Sequence, residues 1–331
     1  MSIFNGHGRT GLACGHALTI RSCLVAVIGW VAAIGLGWAG DLRFHPAGDG
    51  GFGFDTGELR GRLHAGGKSL GLQEVVHIPS GTRLDRVNGL LSHYRVFSKG
   101  RRYGSGAWDW ASEAVLLGDG ETVRVTWPRS ADRPFELWST YRFCDAVTVE
   151  MRTYVRVYET LPGFESFVAS YFSESFTNAA VGLRAGGGAS DGRWIVAARD
   201  KGDWQMFPRD EKVIPILRDG RWRLEPNPVE WVLRDAFGAT PLSMRRSATT
   251  DVCAVFMARP EDCFAISMPQ EGEGHRSVYY SLFGRELKPG GTTMGIVRLS
   301  ILRRPEEAWG RFAAAGKSWR KDDAGAAAVL P

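Results

Sequence analysis

Cysteine is scarce in this sequence: 5 in 331 residues, and only Cys144, Cys253 and Cys263 lie beyond residue 39. An odd number at those spacings makes no disulfide framework, so three structural thiols are expected. Histidine is scarce as well. Beyond residue 39 stand His45, His64, His77, His93 and His275, no two of them at i, i+2 or i, i+4, so no local zinc motif is present. No D-x-[DN]-x-[DN]-G loop offers a calcium site, and no metal is expected. No cofactor is expected either. Gly48-Asp49-Gly50-Gly51-Phe52-Gly53 has dinucleotide-loop spacing, but it is expected to follow the leader, not a strand, with no helix opening after it. The Arg pairs at 101–102, 245–246 and 303–304 are scattered, and the net charge is only +5, so nucleic acid is not an expected partner. No linker rich in Pro or Ser divides the chain, which points to one large domain.

No acidic residue precedes Asp41, and the signal that stands in that stretch is a leader. Arg9 and Arg21 are followed by an uncharged run from Cys23 to Ala39, ending with Gly37 and Ala39 three and one residues before Gly40. A basic start, an apolar stretch and a small-x-small end mark a secretory signal peptide over residues 1–39, and so a secreted or periplasmic protein. The alternative is an uncleaved anchor, although the run falls short of the roughly 20 residues of a membrane span. Membrane contact is expected only through that segment. Without its two basic residues the net charge falls from +5 to +3.

Glycine is abundant, 42 of 331, against a usual share of roughly 7%. That fits many turns and short strands. Val123, Val125 and Trp127 alternate with Thr122, Arg124 and Thr126. Val147, Val149, Met151, Val155 and Val157 share one parity against Thr148, Glu150, Arg152 and Arg156. Period two over such lengths predicts half-buried strands. Similar runs fall at 57–64, 68–78, 90–98, 135–143, 165–172, 193–198, 251–258, 262–268, 277–283 and 294–302. The fold class is therefore all-β, a large antiparallel β-sandwich over 40–304. The irregular segment 199–250 reads as long loops crossing one rim. Pro305, Glu306 and Glu307 open a short C-terminal helix, and the Ala/Gly tail after Lys321 is expected to fray.

Certain residues carry a resemblance: Asn88-Gly89-Leu90-Leu91, Trp127-Pro128, Arg133-Pro134-Phe135-Glu136, Tyr141-Arg142-Phe143, and Leu161-Pro162-Gly163-Phe164-Glu165 leading into Ser170-Tyr171-Phe172. With the order of elements from about 55 to 302, they resemble the β-supersandwich of galactose-mutarotase-like domains. The nearest likeness is to secreted bacterial proteins of that shape. The resemblance implies a carbohydrate-active fold. The contexts in which true mutarotases carry two histidines and a glutamate are absent, so it implies no catalytic residue.

Three clusters combine aromatic and charged residues, the chemistry that recognises a sugar's apolar face and its hydroxyls. Trp108, Asp109 and Trp110 lie in the first. Trp204, Gln205, Arg209 and Asp210 form the second. His275 and Arg276, with Arg285 further on, form the third. Trp108, Trp110, Trp204, Gln205, Arg209, Asp210, Arg276 and Arg285 are the expected carbohydrate-binding residues. His275, His93 and Asp109 are the candidates for proton transfer, since epimerisation, elimination or hydrolysis needs a positioned acid and base. Gly188-Ala189-Ser190-Asp191-Gly192 has the spacing of a nucleophile elbow, but a strand follows it, and it reads as a hairpin tip. The two functions in view are a sugar-active enzyme using a His/carboxylate pair and a non-catalytic carbohydrate-binding or envelope protein.

Overall fold

A computed structural model of the chain describes residues 40–64, 69–184, 192–235 and 239–327. The expected leader and most of the Gly188–Gly192 tip lie outside them. The all-β sandwich is the architecture found. Two large sheets face each other. One has nine strands in the order Gly192–Val196, Asn178–Arg184, Ala239–Arg246, Cys253–Ala258, Thr292–Leu302, Thr148–Val157, Phe135–Asp145, Thr122–Trp127 and Glu113–Leu117. The other has seven: Val232–Leu233, Trp204–Pro208, Cys263–Pro269, Ser277–Leu287, Leu161–Tyr171, Ser92–Ser98 and Arg101–Arg102. A five-stranded meander from Asp41–Pro46 to Thr82–Arg83 sets Phe44 and Phe54 against Phe143, ring centroids 5.2 and 4.9 Å away.

The alternation read from the sequence now has physical addresses. Val123, Val125, Trp127, Leu137, Tyr141, Val149 and Met151 turn inward from the nine-stranded sheet. They meet Phe164, Val168, Ile266, Tyr280 and Leu282 from the seven-stranded one. The outer face of each large sheet is covered too. Over the nine-stranded sheet lies the helix Ala308–Ala327, whose Ala308, Phe312, Ala315 and Trp319 pack on Val255, Met257 and Ile296. It runs past Lys321, where fraying was expected, and the Asp322 carboxylate pairs with Arg152 of the sheet. Over the seven-stranded sheet lies part of 209–231, with Val213, Leu217 and Trp222 against Phe97, Phe167 and Tyr279.

The segment 199–250 differs from the expected run of loops. It contributes Trp204–Pro208 and Ala239–Arg246 to the two large sheets, and Val232–Leu233 to an edge. Prolines hid them. Pro208 ends the first strand. Pro241 sits in the register shift between Leu183↔Ala239 and Val181↔Ser243, a place where a strand tolerates a residue with no N–H to donate.

Candidate functional site: an aromatic cleft on the seven-stranded sheet

The cover leaves one end of the seven-stranded sheet open, and a cleft of about 320 Å³ forms there. Its walls come from three directions. Tyr94 and Arg95, Phe167 and Tyr171, Tyr279 and Trp204 rise from the sheet. Trp222, Asn227 and Trp231 reach in from the cover, and Asn88, Trp108 and His275 from loops. The sheet residues are there by parity. On Leu161–Tyr171, Phe167 and Tyr171 face outward while Val168 faces the inter-sheet core. On Ser277–Leu287, Tyr279 faces outward and Tyr280 inward.

Arg95 breaks that rule. Ser166 pairs with Val96 and Val168 with His93, so a two-residue step on one strand opposes a three-residue step on the other. The bulge puts the successive residues Tyr94 and Arg95 outward between the inward His93 and Val96. Re-aiming a side chain is what such bulges do. Strict alternation could not have found Arg95. The legible trace is that His93 and Val96 fall three apart on one face.

The cleft is built of rings. Trp108 stacks on Tyr94 at 4.2 Å and 13°. Trp204 meets Trp231 edge-on at 5.6 Å, and Trp231 in turn meets Trp222 at 5.5 Å. Tyr279 donates to Tyr171 Oη at 3.2 Å. Burial pushes the Tyr279 phenol up to about 12 and raises Tyr171 as well, so both hydroxyls stay protonated. His275 lies edge-on to Trp204 at 4.9 Å, with its Nδ1 2.7 Å from the Glu273 carboxylate.

The cover is tied down by Arg221. Its Nη1 donates to Glu165 Oε2 at 2.8 Å, and its Nε and Nη2 donate to the Asp219 carboxylate at 3.0 and 2.8 Å. Arg221 and Glu165 are fully buried. The turn at Asn227 is held by Arg95, whose Nη2 donates to the Asn227 carbonyl at 2.6 Å, and by Arg102, whose Nη1 donates to the Pro226 carbonyl. Asn227 has φ 60°, a left-handed conformation that asparagine adopts more readily than most residues.

Of the residues singled out in the sequence, Trp108, Trp204 and His275 come together in this cleft. The others lie elsewhere. His93 is wholly enclosed between the sheets, Nδ1 2.7 Å from Ser166 Oγ and Nε2 2.8 Å from Ser139 Oγ. Asp109 is exposed, accepts from Ser105 Oγ at 2.8 Å, and does not line the cleft. Trp110 packs inward on Phe135. Gln205 has the opposite parity to Trp204, and its amide donates to the carbonyls of Ala198 and Gly202. Arg209 and Asp210 pair with each other at 2.8 Å past the end of the strand. Arg276 folds back on the carbonyls of Glu271 and Glu273. Arg285 is exposed on the same strand as Tyr279 but six residues on, roughly 20 Å at the usual strand rise.

Tyr94, Asn88, Trp222, Asn227 and Trp231 are cleft residues that the three clusters did not contain. Trp222 and Trp231 lie in the stretch read as rim loops, and only their being tryptophans in a polar, proline-rich segment hinted at a role.

No protein-family model and no curated protein sequence matches the chain. Among solved structures it is similar in fold to a GalM/aldose epimerase homologue from C. elegans, at 10% identity and a TM-score of 0.40 over 74% of this chain and 95% of that one. It is also similar to the alpha-N-acetylgalactosaminidase NagBb from Bifidobacterium bifidum, at 12% identity and a TM-score of 0.48 over 78% of this chain and 38% of that one.

Proposed function

We propose that this protein, once exported, binds a carbohydrate in the aromatic cleft of the seven-stranded sheet. The observation that carries this is the convergence of Trp108, Trp204 and Trp231, each half-buried, with Tyr94, Tyr171 and Tyr279 around a space of about 320 Å³. A pyranose ring offers C–H faces to such plates and hydroxyls to the phenols and to the amides of Asn88 and Asn227. A core tryptophan would be enclosed, as Trp127 is at 1% exposure. The partly open indoles have area left for a ligand.

The test is glycan binding by Trp108→Ala and Trp204→Ala. Each is expected to weaken binding about tenfold or more, the order of one lost aromatic contact, with Tm within a few degrees of the parent. Trp127→Ala is the contrast and should lose about 3–5 kcal/mol of stability. Unchanged binding in both cleft variants would refute a sugar site here.

A catalytic role is favoured by one observation. His275, held by Glu273 at 2.7 Å, is the titratable imidazole on the cleft wall. A carboxylate that fixes a histidine through Nδ1 leaves Nε2 for proton transfer. None of the residues lining the cleft is Asp or Glu, whereas hydrolysis by the usual route takes two carboxylates flanking the bond. Epimerisation or elimination at a C–H bond fits His275 better. If the protein turns over a sugar, His275→Gln should lose about 10²–10⁴ in rate with binding retained. Rates within twofold of the parent would take His275 out of the chemistry.

A further inference from the structure

Among the described residues five arginines are buried: Arg95, Arg221, Arg245, Arg259 and Arg298. Four are fully accounted for. Arg221 meets Glu165 and Asp219, Arg259 meets Asp262, and Arg298 meets Glu150. Arg245 lacks a carboxylate, but its Nε and both terminal nitrogens donate to the carbonyls of Ser277, Phe176, Thr177 and Pro269. Arg95 differs. It is 3% exposed, lines the cleft, and has no carboxylate within ion-pair distance among the described residues. Its Nη2 reaches the Asn227 carbonyl and, at 3.3 Å, Tyr94 Oη, while Nε and Nη1 have no partner. Tethering one carbonyl needs an N–H, not a charge. A buried cation with two idle donors is costly unless something completes it.

The surroundings have the same bias. The indole N–H groups of Trp222 and Trp231, two more residues of the cleft wall, are buried without acceptors. Arg102 lies close enough that the charge of Arg95, after burial, lowers its own pKa. Glu273 is occupied by the ring and backbone N–H of His275, and Glu225, whose charge acts on Arg102, leaves Nε and Nη1 of Arg95 without a partner. The unpartnered buried polar atoms of the cleft wall are therefore all donors. Tyr94 and Trp222 lie against the guanidinium, 4.9 and 5.5 Å from centroid to Cζ.

We infer that the sugar taken by this cleft is an acidic one, whose carboxylate or sulfate docks on Arg95. This rests on the carbohydrate reading above and narrows it to a substrate class. A planar guanidinium with two free N–H groups matches two oxygens of such an anion, and the water-poor setting strengthens the contact.

The experiment uses the full-length protein and four probes: a short oligogalacturonide, its fully methyl-esterified form, an O-sulfated neutral oligosaccharide, and that oligosaccharide without sulfate. The ester keeps the ring and removes the charge. The parent should bind the acid, the sulfated sugar or both about 10- to 100-fold more tightly than the uncharged counterpart of each, less so in 1 M salt. Which of the two acidic probes wins identifies the anion. Arg95→Met should bring acid and ester within about threefold of each other, and Arg95→Lys should restore part of the preference. If the parent binds ester or neutral sugar as tightly as both acidic probes, and Trp204→Ala weakens that binding, the cleft is a sugar site and the acidic class is overturned. If no glycan binds, the carbohydrate function falls and this inference falls with it. The comparison on the parent protein stands even if an Arg95 variant does not fold.

Discussion

His93 shows how one residue can carry a chemical hint and a structural job. A histidine in mid-strand was a candidate base, yet its two ring nitrogens are taken up by Ser166 and by Ser139 and Thr153, so its proton economy is closed. Burial pushes its pKa down to about 3. In the unfolded chain an imidazole titrates near 6.5. Between those values the unfolded chain binds a proton that the folded protein refuses, so stability falls as pH drops below about 6.5. His93→Gln should be less stable at pH 7 but should lose this dependence. Urea unfolding at pH 7, 6 and 5 should show the parent losing up to about 1.4 kcal/mol more per pH unit than the variant. Parallel curves would mean that His93 takes a proton inside the fold. The choice among histidines was not decidable from sequence, because parity says which face a strand residue takes but not whether that face is a core or a cleft.

At the scale of elements, what docks the outer layers is charge placed beneath apolar contacts. Glu150 sits fully buried on the outer side of Thr148–Val157 and takes Arg298, Arg152 and Arg142 together, with Trp319 of the C-terminal helix donating at 3.3 Å. Burial alone would raise its pKa, but the three guanidiniums outweigh it and hold the carboxyl at about 2. Its stabilisation is therefore present above about pH 4.5 and is lost as pH falls from there toward 2. Glu150→Gln leaves the buried Arg298 without a carboxylate and Arg142 and Arg152 with Asp322 alone, and an expected loss of about 3–5 kcal/mol follows. Partial proteolysis should then cut within 308–327 before the sheets. A loss under 1 kcal/mol with an intact helix would show that the apolar stripe of Phe312, Ala315 and Trp319 docks the helix unaided. Sheets and helix differed in how legible they were. Long alternating strands such as Phe135–Asp145 declared themselves in the sequence. Trp204–Pro208 and Ala239–Arg246 were masked by proline, and Arg95 by a bulge that only pairing with Leu161–Tyr171 discloses. Glu150 and Arg152 read as an ordinary solvated face, since nothing in their own strand announces a helix 160 residues later.

Across the whole molecule, the strand Asp41–Pro46 follows the expected cleavage point by one residue. Asp41–Pro46 pairs with Phe52–Asp55, and its Phe44, 1% exposed, closes against Phe54 and Phe143. Phe44 N–H donates to the Gly120 carbonyl at 2.8 Å, which ties the meander to the turn after Glu113–Leu117. Cleavage before Gly40 would thus spare these contacts of the first strand, whereas a cut a few residues later would remove a core ring. We predict that the exported protein starts at Gly40, and N-terminal sequencing of it decides the point. A chain still carrying Ser2 in the membrane fraction would favour the anchor instead. The energetic side of the same prediction can be checked separately. A chain of residues 40–331 should fold with a single unfolding transition. One starting at Ala47 loses the Phe44 side chain, about 2–3 kcal/mol of burial, and leaves Phe52–Asp55 as an unpaired edge, with a lower Tm and a greater tendency to associate. Equal stability of the two chains would mean that the first strand is dispensable, and the position of the cut would then have no bearing on the fold.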